Sequence, residues 1–198
     1  CGRPPAAPPE GLEEVVHPAL GTVEEAVREQ LEGDTKNTSA IPAIAMKDTC
    51  EFLEEDCADE HNLKISFPID QEGAEYVFFP AVSDYLLEPD TLIGNAAVMS
   101  ATGGSWTIGT GFFDGINYGL FYSDRMMERI VNQMIAEVRR LKGRKILIGE
   151  CGHATRSAWY VQAFGGPDAP PVVNCLEYAF EQLKAGKIPL KPEKIPER

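Results

Sequence analysis

Short apolar runs alternate with longer segments of helical periodicity from residue 75 onward, and this alternation restricts the fold more than any other feature. The runs predict four strands, at residues 76–79, 106–108, 146–148 and 172–173. The segments after them predict helices at residues 89–101, 124–142, 154–164 and 175–185. Strands separated by helices in this way favour a parallel sheet with helices on both faces. The predicted fold class is therefore α/β, a doubly wound, Rossmann-like parallel sheet.

Composition and patterning divide the chain into four predicted regions. Residues 1–21 are rich in proline and small residues, which is typical of an extended arm. Residues 22–72 form a helical lead-in, with a capping-box helix starting at Thr22 and an acidic helix at 46–61 whose Cys50 and Cys57 pack against the core. Residues 73–186 form the α/β module. The proline-containing tail at 187–198 predicts a linker, so we expect the natural polypeptide to continue.

Charge and cysteine usage narrow the possible environments. The net charge of −13 disfavours nucleic acid as a partner, because the phosphate backbone would be repelled. The sequence contains no run of about 18 apolar residues, the length that a membrane span needs. Five cysteines at irregular spacings do not predict a disulfide framework, so a reducing, cytoplasmic setting is expected.

The segment Gly149-Glu150-Cys151-Gly152-His153 lies between a predicted strand and a predicted helix. In a parallel α/β sheet, ligands usually bind at the edge formed by the carboxyl ends of the strands, where this segment lies. A helix N-terminus and His153 would favour the thiolate form of Cys151, whereas the charge of Glu150 opposes it. Glutamate, cysteine and histidine can also ligate a metal, and polar residues at such a turn often only cap the helix. The residues by themselves leave these interpretations open.

The glycines at 103, 104, 109 and 111 invite comparison with a dinucleotide-binding loop. A GxGxxG fingerprint that starts at Gly109 would need glycine at position 114, where Asp114 stands. The sequence therefore does not predict a dinucleotide cofactor.

The wider spacing resembles the cysteine-rich CCG module of heterodisulfide reductases. That module has a cysteine, then Cys-Cys-Gly about thirty residues later, then Cys-x-x-Cys about thirty-five residues further on. The corresponding segments here are Phe78-Phe79-Pro80-Ala81-Val82, Phe113-Asp114-Gly115 and Glu150-Cys151-Gly152-His153. Val82, Phe113, Asp114, Glu150 and His153 thus stand where the family has cysteine ligands, and Cys151 lies between two ligand positions.

Residues 72–76, 117–121 and 149–153 look like the first CCG module of the DsrK family, heterodisulfide-reductase-like subunits of membrane redox complexes in sulfur-metabolising microbes. The resemblance covers roughly residues 20–198. It implies a module with no cofactor of its own, although the intact family protein carries 4Fe–4S clusters. The implied partners are a second CCG module, a ferredoxin-type domain, other subunits of the complex and a small sulfur substrate. The implied location is cytoplasmic, peripheral to the inner membrane through partner subunits.

The resemblance also implies a function and a site. The chain would belong to an electron-transfer subunit that reduces disulfides or trisulfides in sulfur or sulfate respiration, and it would form one wall of the substrate cavity. We predict that Glu150, Cys151 and His153 are catalytic wall residues and that Asp114, Asn117 and Val82 line the cavity. Repulsion between Asp114 and Glu150 should raise the pKa of one carboxyl group.

Three alternative interpretations remain open at the sequence level. Asp114, Glu150, Cys151 and His153 have the side chains of a mononuclear metal site. Cys151 has the chemistry of an enzymatic nucleophile if a base lies close to it. The third interpretation is a purely structural or interaction domain.

Overall fold

In the part of the chain that the structure describes, the central sheet has four parallel strands. The structure is a computed structural model that describes residues 41–114 and 124–190. The strands are β1 (Tyr76–Phe79), β2 (Trp106–Thr107), β3 (Lys145–Ile148) and β4 (Val172–Asn174). Their order across the sheet is β2–β1–β3–β4. This all-parallel order confirms the predicted α/β, doubly wound class. The predicted arm, the helix starting at Thr22, Asn117 and residues 191–198 lie outside the described residues.

Helices cover both faces of the sheet. They are α1 (Ala43–His61), α2 (Val82–Leu86), α3 (Pro89–Thr102), α4 (Asp124–Arg140), α5 (Gly152–Ala158), α6 (Tyr160–Gly165) and α7 (Cys175–Lys184). One face, which we call the α4 face, packs Val77, Phe79 and Ile148 against helices α4, α5 and α6. The opposite α3 face packs Tyr76, Phe78 and Leu147 against α1, α3 and α7. Both faces of β1 are therefore buried, as expected of a parallel sheet.

Helix α1 belongs to the core of the α3 face. Met46, Cys50, Leu53 and Cys57 follow helical spacing and are all buried, which confirms the predicted packing of the two thiols. The helix begins at Ala43, three residues before the predicted start, because the Met46 amide already bonds to the Pro42 carbonyl at 3.1 Å. Within the described residues, no helix is long and apolar enough to cross a lipid bilayer.

Two helical features differ from the sequence prediction. The short helix α2 was not predicted, because its five residues are too few to show a period. It forms directly after β1, where the Asp84 carboxylate accepts a hydrogen bond from the Ala81 amide at 3.0 Å. The helix predicted at 154–164 is divided at Trp159, whose amide bonds to the Arg156 carbonyl three residues earlier. This tighter turn offsets α6 from α5.

The end of α4 also differs in detail. The helix predicted at 124–142 ends at Arg140, and Lys142 has the left-handed conformation, with a φ of 52°. The Gly143 amide then bonds to the Val138 carbonyl at 2.9 Å. Glycine is required at 143 because a Cβ there would overlap the Val77 side chain.

The glycine-rich turn after β2 is held by buried charge. Glu137 is 4% exposed and accepts hydrogen bonds from the Gly111 amide at 2.9 Å and from Arg140 Nε at 2.8 Å. Asp70 accepts the Thr110 amide and hydroxyl and also pairs with Arg140. These bonds fix the chain that leads from β2 to Asp114. The glycines at 109 and 111 therefore admit the Glu137 carboxylate and do not form a dinucleotide loop.

We predict that Gly109→Ala lowers the free energy of unfolding by about 1–3 kcal/mol, because a Cβ at 109 would overlap the fixed Glu137 carboxylate. Urea denaturation measures the change. Gly94→Ala is the matched control: nothing lies within 4 Å of a Cβ built there, so it should be neutral or stabilise α3 by up to about 1 kcal/mol. Equal effects at both positions would contradict the role given to Glu137.

Candidate functional site

At the carboxyl ends of β1 and β3, the connections leave the sheet towards opposite faces. After β1 the chain passes to the α3 face, and after β3 it passes to the α4 face. Adjacent parallel strands that leave to opposite faces open a crevice between their ends, and ligands of open α/β sheets bind there. Here the crevice lies between residues 80–82 and 149–151. The Gly149 amide and the Phe79 carbonyl, 3.4 Å apart, hold the two ends together.

A buried carboxylate occupies this crevice. Asp84 of α2 is 0% exposed and accepts hydrogen bonds from the Ala81 amide at 3.0 Å and from Ser83 Oγ at 3.4 Å. Gly149 lies against it, and a Cβ at that position would be 3.5 Å from Asp84 Oδ2. The close contact places Asp84 between the two central strand ends.

Burial raises the pKa of Asp84 to about 7, and the negative charge of Glu150 contributes to the rise. We had predicted a raised carboxyl pKa at this edge from repulsion between Asp114 and Glu150. The structure shows a raised carboxyl pKa at this edge for Asp84, which sequence analysis did not single out, and the predicted repulsion between Asp114 and Glu150 stays a prediction. Its signal in the sequence was an acidic residue five positions after a buried strand, which is too common a pattern to stand out.

Asn174 ties the loop after β3 to the helix after β4. Its Nδ2 donates to the Gly149 carbonyl at 3.0 Å and to Thr155 Oγ1 at 2.7 Å. Its Oδ1 accepts the Leu176 amide at 2.8 Å and thereby caps α7. Asn174 therefore fixes the backbone that carries Glu150. The sequence analysis did not identify this residue as part of the site.

A groove between α3 and α7 opens beside the crevice on the α3 face. It has a volume of about 290 Å³, and its described lining includes Gly94, Asn95, Val98, Glu150, Cys175 and Leu176. We call it the α3–α7 groove. Burial raises the pKa of Cys175 to about 11, with the charge of Glu150 as the next contribution. Cys175 is thus a neutral thiol at the wall of this groove.

The structure separates two of the predicted catalytic residues. Glu150 is exposed and lines the α3–α7 groove, whereas Cys151 is half-buried and packs against the core of the α4 face. His153, two residues after Cys151, is exposed on α5. Glu150 and Cys151 point to different faces because the chain turns between them, from the end of β3 into α5 on the α4 face. Glu150, Cys151 and His153 therefore share an edge of the sheet without facing one groove.

The predicted cavity residues also lie in different environments. Val82 is half-buried at the start of α2, and Asp114 is 1% exposed. Phe113 packs edge to face on Tyr85 with the ring centres 5.6 Å apart, which directs it into the core. Asp114 and Asp84 both lie close enough to the buried Tyr85 hydroxyl for their charges to act on it. Asn117 lies outside the described residues.

The metal interpretation needs several ligands to converge on one point. In residues 41–114 and 124–190, no three side chains of the His, Cys, Asp and Glu types are grouped so as to hold a metal ion. Asp114, Glu150, Cys151 and His153 are all within that part of the chain. Their positions on two faces of the sheet explain why they do not form such a group.

Comparison with known proteins adds no further assignment. The chain matches no protein-family model, no curated protein and no solved structure.

We predict that Asp84→Asn makes the protein less sensitive to alkaline pH. A carboxyl group whose pKa is raised in the folded state stabilises the fold below its unfolded pKa near 3.8, and this contribution is lost as pH rises through about 7. Between pH 4 and pH 8 the variant should therefore gain roughly 2–4 kcal/mol relative to the parent. Urea denaturation at several pH values provides the test.

The matched control for this measurement is Asp90→Asn, at an exposed carboxylate in the first turn of α3. Its stability curve should run parallel to that of the parent protein. A parallel curve for Asp84→Asn as well would show that Asp84 is ionised in both states.

We predict that Cys151 reacts with alkylating agents faster than the other described cysteines. Cys50, Cys57 and Cys175 are buried, and burial raises the pKa of Cys50 to about 12. Thiols that are both shielded and protonated react slowly. Alkylation followed by mass spectrometry ranks the sites, and Cys151→Ser should remove the fast phase. Faster modification of Cys50 than of Cys151 would indicate that α1 detaches readily from the core.

Proposed function

We propose that this chain is a cluster-free CCG module of an electron-transfer subunit of the heterodisulfide-reductase type. Its carboxyl sheet edge forms one wall of a cavity for a disulfide or trisulfide. The intact protein carries its clusters in another module and associates peripherally with a membrane complex. The proposal rests on the family resemblance of the sequence frame.

One structural observation supports it more than any other. The three segments that correspond to the family's ligand segments each follow one of three neighbouring parallel strands, β1, β2 and β3. Because parallel strands end at one edge, Val82, Asp114 and Glu150 are carried on chain segments that leave the same edge. A cluster-binding module needs this arrangement, and these positions hold apolar or carboxylate side chains.

The side chains at the carboxyl edge of the sheet are consistent with a cavity wall that holds no cluster. An iron–sulfur cluster is held by several thiolates, and only Cys151 is a half-exposed thiol at this edge in the described part of the chain. Cys151 is free to exchange with a sulfur substrate, and the exposed His153 can deliver a proton to a departing thiolate. Such an exchange breaks the substrate S–S bond, forms a mixed disulfide on Cys151 and requires electrons from the cluster of the partner module for release.

The test combines the chain, under anaerobic conditions, with a cluster-bearing cysteine-rich module of a heterodisulfide-reductase-type subunit. We expect a stoichiometric complex that reduces disulfides or trisulfides faster than the cluster-bearing module alone. Cys151→Ser and His153→Asn should each lower the rate, whereas Glu128→Gln, on an exposed position of α4, should not. Failure to form a complex, or equal rates with and without the chain, would refute the proposal.

We further expect the chain by itself to bind no iron–sulfur cluster, because no family ligand position has a cysteine. Anaerobic incubation with iron and sulfide, followed by iron analysis and visible absorption, tests this expectation. Cys151→Ser serves as the control for iron bound to a single exposed thiol. Stoichiometric iron that withstands gel filtration in both proteins would contradict the cluster-free assignment.

A further inference from the structure

The α3–α7 groove has features of a ligand site that is independent of the proposed redox function. It adjoins the crevice between β1 and β3 and is bounded by two helices of the same face. Its volume of about 290 Å³ is at the lower end of the range of small-molecule pockets, roughly 300–1,000 Å³. A ligand of this groove is therefore a small molecule.

The walls of the groove are mainly apolar. Val98 and Met99 contribute from α3, and Leu176 and Ala179 contribute from α7. Gly94 widens the groove, because it has no side chain and nothing lies within 4 Å of the position a Cβ would take. The body of a matching ligand is accordingly apolar.

Charge in the groove has one sign. Glu150 is the single charged side chain among the described residues that line it. The buried Asp84 lies close enough behind Glu150 for the two carboxylates to influence each other, and neither has a basic partner in the described ion pairs. An anionic ligand would be repelled here, and the net charge of −13 adds to that repulsion.

The side chain of Asn95, which also lines the groove, favours a ligand that donates a hydrogen bond. The Asn95 Nδ2 group donates to the Thr91 carbonyl at 2.8 Å, which leaves the Asn95 Oδ1 as an acceptor. The groove thus presents acceptors and a negative charge between apolar walls.

We propose that the α3–α7 groove binds a small organic cation, an ammonium group attached to a compact apolar body, with the ammonium on Glu150. The apolar body lies between α3 and α7 over Gly94. A cation matched to a carboxylate beside apolar walls gains a charge-assisted hydrogen bond together with burial of apolar surface. This site does not depend on a cluster, on Cys151 or on the redox assignment.

The experiment is a ¹H–¹⁵N NMR titration of the full chain with three probes of similar shape: cyclohexylmethylammonium, cyclohexylmethanol and cyclohexanecarboxylate. We expect the ammonium probe to shift the amide signals of Gly94, Cys175 and Leu176. The alcohol should bind about tenfold more weakly, and the carboxylate should not bind at concentrations up to about 20 mM.

Variants test the charge of Glu150 and the apolar space over Gly94 separately. Glu150→Gln should weaken ammonium binding about tenfold and leave the alcohol unaffected. Gly94→Leu should abolish both by filling the groove, whereas Gly94→Ala tests whether the helix itself tolerates a side chain there. Glu128→Gln, a carboxylate on the opposite face, should change nothing. The dispersion of each spectrum shows that the variant is folded.

Three results would overturn the inference: equal affinity for the alcohol and the ammonium probe, unchanged binding in Glu150→Gln, or shifts confined to residues outside the groove. Concentration-dependent broadening of the same signals without any probe would show that a second copy of the chain occupies the groove, which also excludes the ligand site. Loss of the redox function with intact ammonium binding would refute only the proposed function.

Discussion

Tyr76–Phe79 and Lys145–Ile148 lie side by side as parallel strands at the centre of the sheet, with Phe79 opposite Ile148. Because the two strands end level with each other, the chain segments that follow them emerge at the same place. One segment turns to the α3 face and the other to the α4 face. The crevice, the packing of both helical layers and the position of Glu150 all depend on this register.

The register also brings negative charges together. Asp84 is drawn into the space between the strand ends by its hydrogen bond to Ala81, and Glu150 comes to the same point from β3. Placing a carboxylate there costs free energy when it is ionised, since burial and a like charge both disfavour the anion. Protonation of Asp84, whose pKa is raised to about 7, removes this cost in acid. Groups with such shifted pKa values concentrate at functional sites, which directs attention to this crevice.

The carboxylates near the end of β2 differ from Asp84 and Glu150 because they are paired with an arginine. At β2, Glu137 and Asp70 share Arg140 and receive backbone amides of the glycine-rich turn. Those carboxylates have cationic and amide partners, so they act as fixed anchors for the turn. Asp84 and Glu150 have no basic partner among the described ion pairs, so no cation of those pairs offsets their charge. Two acidic clusters at one sheet edge thus have different roles because only one contains an arginine.

The amino-acid sequence by itself determined the four strands, the helix at Pro89 and the inward-facing thiols of α1, because each depends on a local period or on a residue type with one strong preference. It also identified the sheet edge at Gly149–His153, since a parallel sheet collects its strand ends on one side. It did not reveal α2, the division at Trp159, or the roles of Asp84 and Asn174. Those features arise from contacts between distant segments, such as Asn174 with Gly149, and no local pattern encodes them. Only the tertiary structure decided that Glu150 and Cys151, adjacent in sequence, face opposite sides of the sheet, because the turn that separates them is shaped by the strands and helices packed around it.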